Sequence, residues 1–417
     1  MNAHSDLLLG RRLVLGVGGS IAAYKSLTLA SRLTEAGAIV DVVLTRAAAE
    51  LVRPLAFQAL THRSVTVNLF APGSAMAMDH VALARSAEML VVAPASADLL
   101  ARLALGLADD ALTTTALATR APLLVAPAME PHMWTHPATA GHVATLAERG
   151  ARFVGPDAGR MASGASGLGR MAEPKRIIEE IRLVLAAGGP LSGRRILVTA
   201  GPTREPLDPV RYLSNHSSGR MGYAIARAAR DAGADVTLVT GPVALAPPVG
   251  VAVVPVETAL QMADEVLGRI LGHAPGRADS LPMHALIMTA AVADYRPAVY
   301  EPQKIKKTQD PTHLSLARNP DILVELDHRL KGVALPPLRI GFAAETEHLL
   351  ANAAEKRIRK GLDLIVANPV PAAFGGDLAS ATLIDADGAT DLGELTKEAV
   401  AGAVVARVVS LLAARSA

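Results

Sequence analysis

The chain has 417 residues, enough for roughly two or three domains each with its own core. Apolar residues make up 51% and aromatics only 3%, so those cores must be built from Ala, Val and Leu, and Lys plus Arg number 41 against 39 Asp plus Glu, a balance without a basic tail that argues against a nucleic-acid binder. Cysteine is absent, which excludes disulfides, thiolate metal sites and cysteine nucleophiles; the opening MNAHSDLLLGRR has too short an apolar run for a signal peptide, and charges interrupt every long apolar stretch, so a cytoplasmic protein that enters no membrane is expected.

The first half begins with a strand over 13–15, a Gly loop GVGGS over 16–20, a helix over 21–35 and a second strand over 40–45. Two more strands, 89–93 and 123–126, end in Pro94-Ala95-Ser96 and Pro127-Ala128-Met129. Strand ends rich in Pro and small residues line the crevice at the carboxyl edge of an open sheet, where such folds bind ligands. GVGGS alone is a weak signal, although its small residues and the Ser20 hydroxyl suit a phosphate. His80, in MDHVALAR ahead of the strand at 89, is a lone histidine; such residues are most often structural, yet a group titrating near neutral pH is suited to moving protons. A Gly/Ser-rich stretch follows at 155–174.

Glycines and a proline cluster over 186–194 between a helix and the next strand, and the chain is expected to divide there into domains 1–188 and 189–417. The second half repeats the strand–glycine–helix–strand pattern, with a strand over 196–198, a helix over 222–230 and a strand over 235–240. The fold expected is α/β, with two open, doubly wound, mostly parallel sheets, flavodoxin-like or Rossmann-like in front and Rossmann-like behind. The loop from Gly201 carries Arg204, Asn215, His216, Ser217, Ser218 and Arg220. It is longer than an ordinary connection and leads into a helix N-terminus, which makes an anion site, but it fits neither G-x-G-x-x-G nor the P-loop. Further on, Asp294 ends a strand over 284–289 and its continuation. Lys304 opens the basic run KIKK, and Asn319 or Asp321 can cap a helix. Phe342 ends another strand, its place as core competing with stacking on a base, and Lys356 and Lys360 lie on a basic helix.

The segment TAGPTREPLDPVRYLSNHSSGRMG resembles the ligase half of the bifunctional coenzyme A biosynthesis flavoproteins, and GSIAAYK, PAS, PAMEPHMW and GLGRMAEP resemble the decarboxylase half. The resemblance spans nearly the whole chain, in the same order. It implies a phosphopantothenate–cysteine ligase joined to an FMN-dependent phosphopantothenoylcysteine decarboxylase. The front half would bind FMN through Gly18, Gly19, Ser20, Thr45, Pro94, Ala95, Ser96 and Met129. His80 would be the active-site histidine, and Gly164, Gly167, Gly169, Arg170 and Met171 would belong to a substrate flap. In that family FMN oxidises the cysteinyl thiol to a thioaldehyde, CO₂ leaves and the reduced flavin returns the electrons, and the resemblance implies the same here. In the second half CTP would cytidylylate the carboxylate of 4'-phosphopantothenate, and the amine of L-cysteine would attack the acyl-cytidylate to give phosphopantothenoylcysteine. Asn215 would hold that intermediate. Met288, Thr289, Ala290, Asp294, Lys304, Pro320, Asp321, Ile322, Leu323, Phe342, Lys356 and Lys360 would form the CTP site, with Mg²⁺ on the phosphates and its protein ligands unspecified. Relatives of the two halves imply a closed homo-oligomer, a dodecamer.

Glu130, Ser163 and Arg220 depart from the family pattern, as does Gly376, to which no role is attached. Glu130 stands where Asn is usual, and an ionised Glu would repel a substrate carboxylate. It is therefore protonated, or turned elsewhere, or the carboxylate is held in another way. Ser163 stands where a Cys often supplies the final proton, and Arg220 replaces a Lys with its charge kept. These leave open a ligase whose front half binds flavin but decarboxylates poorly, and a flavin-binding regulatory protein, which the intact ligase motifs disfavour. An NAD dehydrogenase would need the missing G-x-G-x-x-G.

Overall fold

The computed structural model describes residues 6–68, 79–162, 164–272, 282–306, 313–345, 347–369 and 378–416. They form two compact units, residues 5–185 and 186–417.

The first unit runs β1 (Arg12–Val17), α1 (Ala23–Glu35), β2 (Ile39–Leu44), α2 (Arg46–Leu51), α3 (Pro54–Thr61), β3 (Val65–Thr66), α4 (Asp79–Ser86), β4 (Met89–Ala95), α5 (Ala97–Leu105), α6 (Ala111–Ala118), β5 (Leu123–Pro127), α7 (Pro131–Thr135), α8 (Pro137–Glu148), β6 (Arg152–Phe153), β7 (Asp157–Arg160), β8 (Ser166–Arg170) and α9 (Pro174–Leu185). Strands pair in the order β3-β2-β1-β4-β5-β6, all parallel. Both faces of this sheet are covered, so its strands are apolar at nearly every position rather than alternating. Leu13, Leu15, Val40 and Met89 pack with α1 and α9, whereas Val14, Val43, Leu90 and Val92 pack with α5, α6 and α8. The winding reverses between β1 and β4, which opens a crevice at their carboxyl ends. The Gly/Ser-rich stretch beyond 155 is an antiparallel hairpin of β7 and β8.

The second unit runs β9 (Arg195–Ala200), β10 (Glu205–Pro206), β11 (Tyr212–Leu213), α10 (Arg220–Asp231), β12 (Asp235–Thr240), β13 (Ala252–Pro255), α11 (Ala259–Leu271), β14 (Ala285–Met288), β15 (Tyr295–Pro297), β16 (Leu316–Arg318), α12 (Ile322–Arg329), β17 (Leu338–Glu345), α13 (Leu349–Arg359), β18 (Leu364–Pro369), β19 (Leu378–Asp385), β20 (Gly388–Thr396) and α14 (Lys397–Ser416). The sheet order is β13-β12-β9-β14-β17-β18-β19-β20. Its first six strands are parallel, and β19 and β20 close it as an antiparallel hairpin. The expectation of two open, mostly parallel sheets is met in both units. Helices α10 and α14 cover one face of the second sheet, over Ile196, Val198 and Ile340, and α11, α12 and α13 cover the other, over Leu197, Leu286 and Ile365. Helix α10 follows Gly219, whose φ of 74° lies in the left-handed region. At Gly222 a Cβ would lie 2.4 Å from Thr289 Oγ1 and 2.5 Å from Ala200 Cβ, so only glycine lets the helix start rest directly on β9 and β14. Among the described residues no helix is long and apolar enough to cross a membrane.

Candidate active sites

At the carboxyl edge of the first sheet, helices α2, α1 and α5 begin after the neighbouring strands β2, β1 and β4. Thr45 caps α2 by accepting from the Ala48 N–H at 3.1 Å, and Ser96 caps α5 by accepting from the Leu99 N–H at 3.3 Å. Helix α1 has no side-chain cap. The Gly18 N–H donates to Pro94 O at 2.9 Å and ties the GVGGS turn to the segment 94–96. Gly18, Gly19, Ser20, Thr45, Pro94, Ala95 and Ser96 therefore share one edge, toward which three helices turn the positive ends of their dipoles. A phosphate-bearing cofactor such as FMN fits that donor set, above all at the uncapped start of α1.

The hairpin closes onto the same edge. The Met129 N–H donates to Gly169 O at 3.0 Å, and a Cβ at Gly169 would lie 2.1 Å from Met129 O. The base of the hairpin is fixed by the buried Lys25, whose Nζ donates to Met171 O at 3.1 Å and pairs with Glu173 at 2.7 Å. Arg170 approaches the same carboxylate at 3.3 Å. Hydrogen bonding from Lys25 holds the Glu173 carboxyl below its usual range against a smaller opposing effect of burial, and the charges of Lys25 and Arg170 add to it. Gly164 makes the outer turn, with its N–H donating to Met161 O, and Gly167 lies in β8. Glu130 turns to its own helix: its Oε2 accepts from the His132 N–H at 2.8 Å and caps α7. His80 is the second residue of α4; its side chain, and Ser163 altogether, lie outside the described residues.

The second unit holds a cavity of about 1120 Å³ at the carboxyl ends of β14, β17 and β18, beside the point where its winding reverses. Met288, Thr289, Ala290, Asp294, Pro320, Asp321, Ile322, Leu323, Phe342, Lys356 and Lys360 all line it, together with Asn215. Five basic side chains, Arg220, Arg318, Lys356, Lys360 and Lys397, face it against two acidic ones, Asp294 and Asp321, a balance suited to a polyphosphate. Asp321 caps α12 and pairs with Lys360 at 2.8 Å. Burial works to raise its carboxyl, but the Lys360 contact and the Val324 and Leu323 N–H groups outweigh this, and the net shift is downward. The Lys356 Nζ donates to Phe342 O at 3.0 Å. Phe342 both lines the cavity and packs on the core, so the two sequence readings of it are compatible.

Asn215 spends much of its amide on its own loop, donating through Nδ2 to Ala291 O at 2.6 Å and accepting from the Ser217 N–H at 3.0 Å. Lys304 is exposed and is not part of the cavity lining. Its segment is held from below by Asp208, which accepts from the Ile305 N–H at 3.1 Å, while Arg211 donates to Ile305 O at 2.9 Å. Hydrogen bonding from Arg211, then from backbone N–H groups of Val210, Ile305 and Arg211, holds the Asp208 carboxyl far below its ordinary range despite the opposing effect of burial.

The flavoprotein family model matches residues 1–185, and the model for the DNA/pantothenate metabolism flavoprotein C-terminal domain matches residues 191–412. The coenzyme A biosynthesis bifunctional protein CoaBC of Vibrio cholerae is 43% identical over 95% of this chain and 98% of its own length. This chain belongs to the CoaBC family. The CoaBC protein of Mycobacterium bovis is 44% identical over 97% of both chains. A crystal structure of the C-terminal domain of a CoaBC protein aligns with TM-score 0.44 and 38% identity, covering 54% of this chain and 98% of that one.

Among the cavity residues that escaped the sequence reading are Arg318, Asn368 and Lys397. Asn368 ends the apolar run LIVANP, the same kind of strand-end position that marked Ser96 and Met129, and that rule would have found it. Nothing around Lys397 distinguishes it from a solvated residue at a helix start.

Proposed function

We infer that the chain is a bifunctional enzyme of coenzyme A biosynthesis, ligating 4'-phosphopantothenate to cysteine in its second unit and decarboxylating phosphopantothenoylcysteine in its first. The observation that carries the ligase reading is the basic cavity at the winding reversal, which gathers Asn215, Asp294, Lys356 and Lys360 from separate loops and helices. There Lys356 and Lys360 would hold CTP, and the Ser217–Arg220 turn with Asn215 would hold the acyl group as an acyl-cytidylate. A positioned cation such as Lys304, on its tethered segment, would offset charge as CMP leaves in the amide-forming step. Among the described residues no three His, Asp or Glu side chains are grouped to bind a metal. Mg²⁺ would be carried in on the triphosphate, with the exposed Asp294 at hand.

In the first unit FMN, when bound, supplies the two-electron oxidation and reduction that make loss of CO₂ feasible. The α1 turn with Ser20 would take its phosphate, and Pro94, Ala95, Ser96 and Met129 would lie along its chain and ring. The hairpin over Met129 would exclude water, and His80 would move a proton. A second reading, a flavin-binding but weakly decarboxylating front half, draws on one feature: Glu130 caps α7 where an amide would offer a donor to substrate. The oligomer we propose is closed, a dodecamer as the family resemblance implies. Purified protein should be yellow, with a flavin absorbance band, and should release pyrophosphate from CTP only when phosphopantothenate is present. Colourless protein that takes up no added FMN would remove the decarboxylase reading, and pyrophosphate release indifferent to phosphopantothenate would remove the ligase reading.

A further inference from the structure

Strands β17 and β18 run side by side, with Ala344 opposite Asn368. Alternation sends Ile340, Leu364 and Val366 into the core under α10 and α14, and Ala343, Ile365 and Ala367 into the core under α11–α13. Asn368 shares the parity of Leu364 and Val366 and so faces α14. It is 6% exposed, lines the cavity, and its Oδ1 accepts no hydrogen bond among the described residues. A buried amide oxygen without a donor is costly, and one facing a cavity is completed by what enters. A cation lines the same cavity. Ala379 of β19, also on the lining, pairs with Leu395, two residues before Lys397, which opens α14, is 4% exposed and lines the cavity too. Of the residues assigned to the nucleotide, the charged Asp321, Lys356 and Lys360 come from α12 and α13 on the other face.

We propose that Asn368 and Lys397 form the subsite for the amino acid in the ligation, Lys397 facing its α-carboxylate and Asn368 Oδ1 accepting an N–H of its α-amino group. This rests on the ligase reading above. Of the three substrates only cysteine carries an N–H donor and an anion on one carbon. Cytosine has an amino group but no adjacent anion, and the pantothenate carboxylate loses its charge on cytidylylation. Held through one N–H, the neutral amine keeps its lone pair for the acyl carbon. The C–N bond forms, the C–O bond to CMP breaks with its electron pair remaining on the phosphate, and the extra amine proton leaves to solvent.

Steady-state ligation by the full chain tests this. Asn368→Ala should raise the KM for cysteine about ten- to a hundredfold, the loss of a hydrogen bond to a polar or charged partner. The KM values for CTP and phosphopantothenate, and pyrophosphate release in a single turnover without cysteine, should stay as in the wild type. Asn368→Asp restores an acceptor, but its charge holds the ammonium form, so cysteine binding should recover while the rise of rate with pH moves to higher pH. Lys397→Met should erase the preference for cysteine over cysteamine, which lacks the carboxylate. An unchanged cysteine KM in Asn368→Ala, or a CTP KM that rises with it, overturns the assignment. Should Asn368→Ala fail to fold, an unshifted pH profile in Asn368→Asp overturns it equally. Wild-type protein that forms no CTP-dependent amide would instead refute the ligase reading itself, a result separable from any variant's.

Discussion

Asp208 shows how much one carboxylate can hold in place. It is 3% exposed, yet it accepts from the Val210, Arg211 and Ile305 N–H groups and pairs with the Arg211 guanidinium at 2.6 Å, so the segment bearing Lys304 hangs on it. Because its folded pKa is depressed, the stability it contributes is present above the ordinary carboxyl pKa of about 4 and is lost as pH falls through the lower folded value. Asp208→Asn should therefore melt below the wild type at neutral pH, with the gap narrowing below about pH 4. Melting curves that stay equally far apart through that range would argue against the assignment. Asn215 poses a sharper question, since its bonds to Ala291 and Ser217 give it a structural use as well. Asn215→Asp sets an acceptor against the Ala291 carbonyl and should lose the amide product while still releasing pyrophosphate, as should Lys304→Gln. Asp294→Ala should block pyrophosphate release itself. Quenched reactions with labelled phosphopantothenate, resolved by chromatography, distinguish the two patterns, and normal amide yield in Asn215→Asp and Lys304→Gln would reduce both residues to loop support and surface charge.

The β7–β8 hairpin meets the end of β5 at a close approach. With a Cβ at Gly169 placed 2.1 Å from Met129 O, Gly169→Ala must push β8 off the end of β5. Decarboxylation should fall at least tenfold, about the effect of misplacing a substrate-positioning element, while ligation and the melting temperature of the second unit hold. CO₂ release measured beside amide formation reads both, and an undiminished CO₂ rate would mean that the hairpin does not shape the site. Among the elements, the central parallel strands were the most legible, because burial on both faces leaves runs such as LVLGV and DVTLVT that fit little else. The loop-to-helix turns after β1, β9 and β14 were legible through their glycines and small polar residues. The closing hairpin was not. Strand β20, GATDLGELT, is exposed along most of its length and reads as a polar loop, since its pairing with β19 is set by tertiary context. Lys397 stayed hidden for the same reason: α14 is placed by that hairpin, and only the folded sheet brings its first residue to the cavity. His80 and Ser163 rest on the family resemblance alone.

At the scale of the whole chain, the described residues of each candidate site come from one unit. The edge that suits FMN uses residues from β1 to β8, and the basic cavity uses residues from Leu213 to Lys397. His80→Asn should consequently abolish CO₂ release and leave the ligation rate near normal, and a parallel fall in ligation with melting curves unchanged would mean that the two reactions are coupled. The central claim is that one polypeptide carries both reactions in sequence. Its most direct test is a single incubation of the purified full-length protein with phosphopantothenate, cysteine and CTP, followed by mass spectrometry of the products and capture of CO₂. The account predicts one pyrophosphate and one CO₂ for each phosphopantetheine formed, with phosphopantothenoylcysteine seen only in passing. Phosphopantothenoylcysteine that accumulates without CO₂ would contradict it.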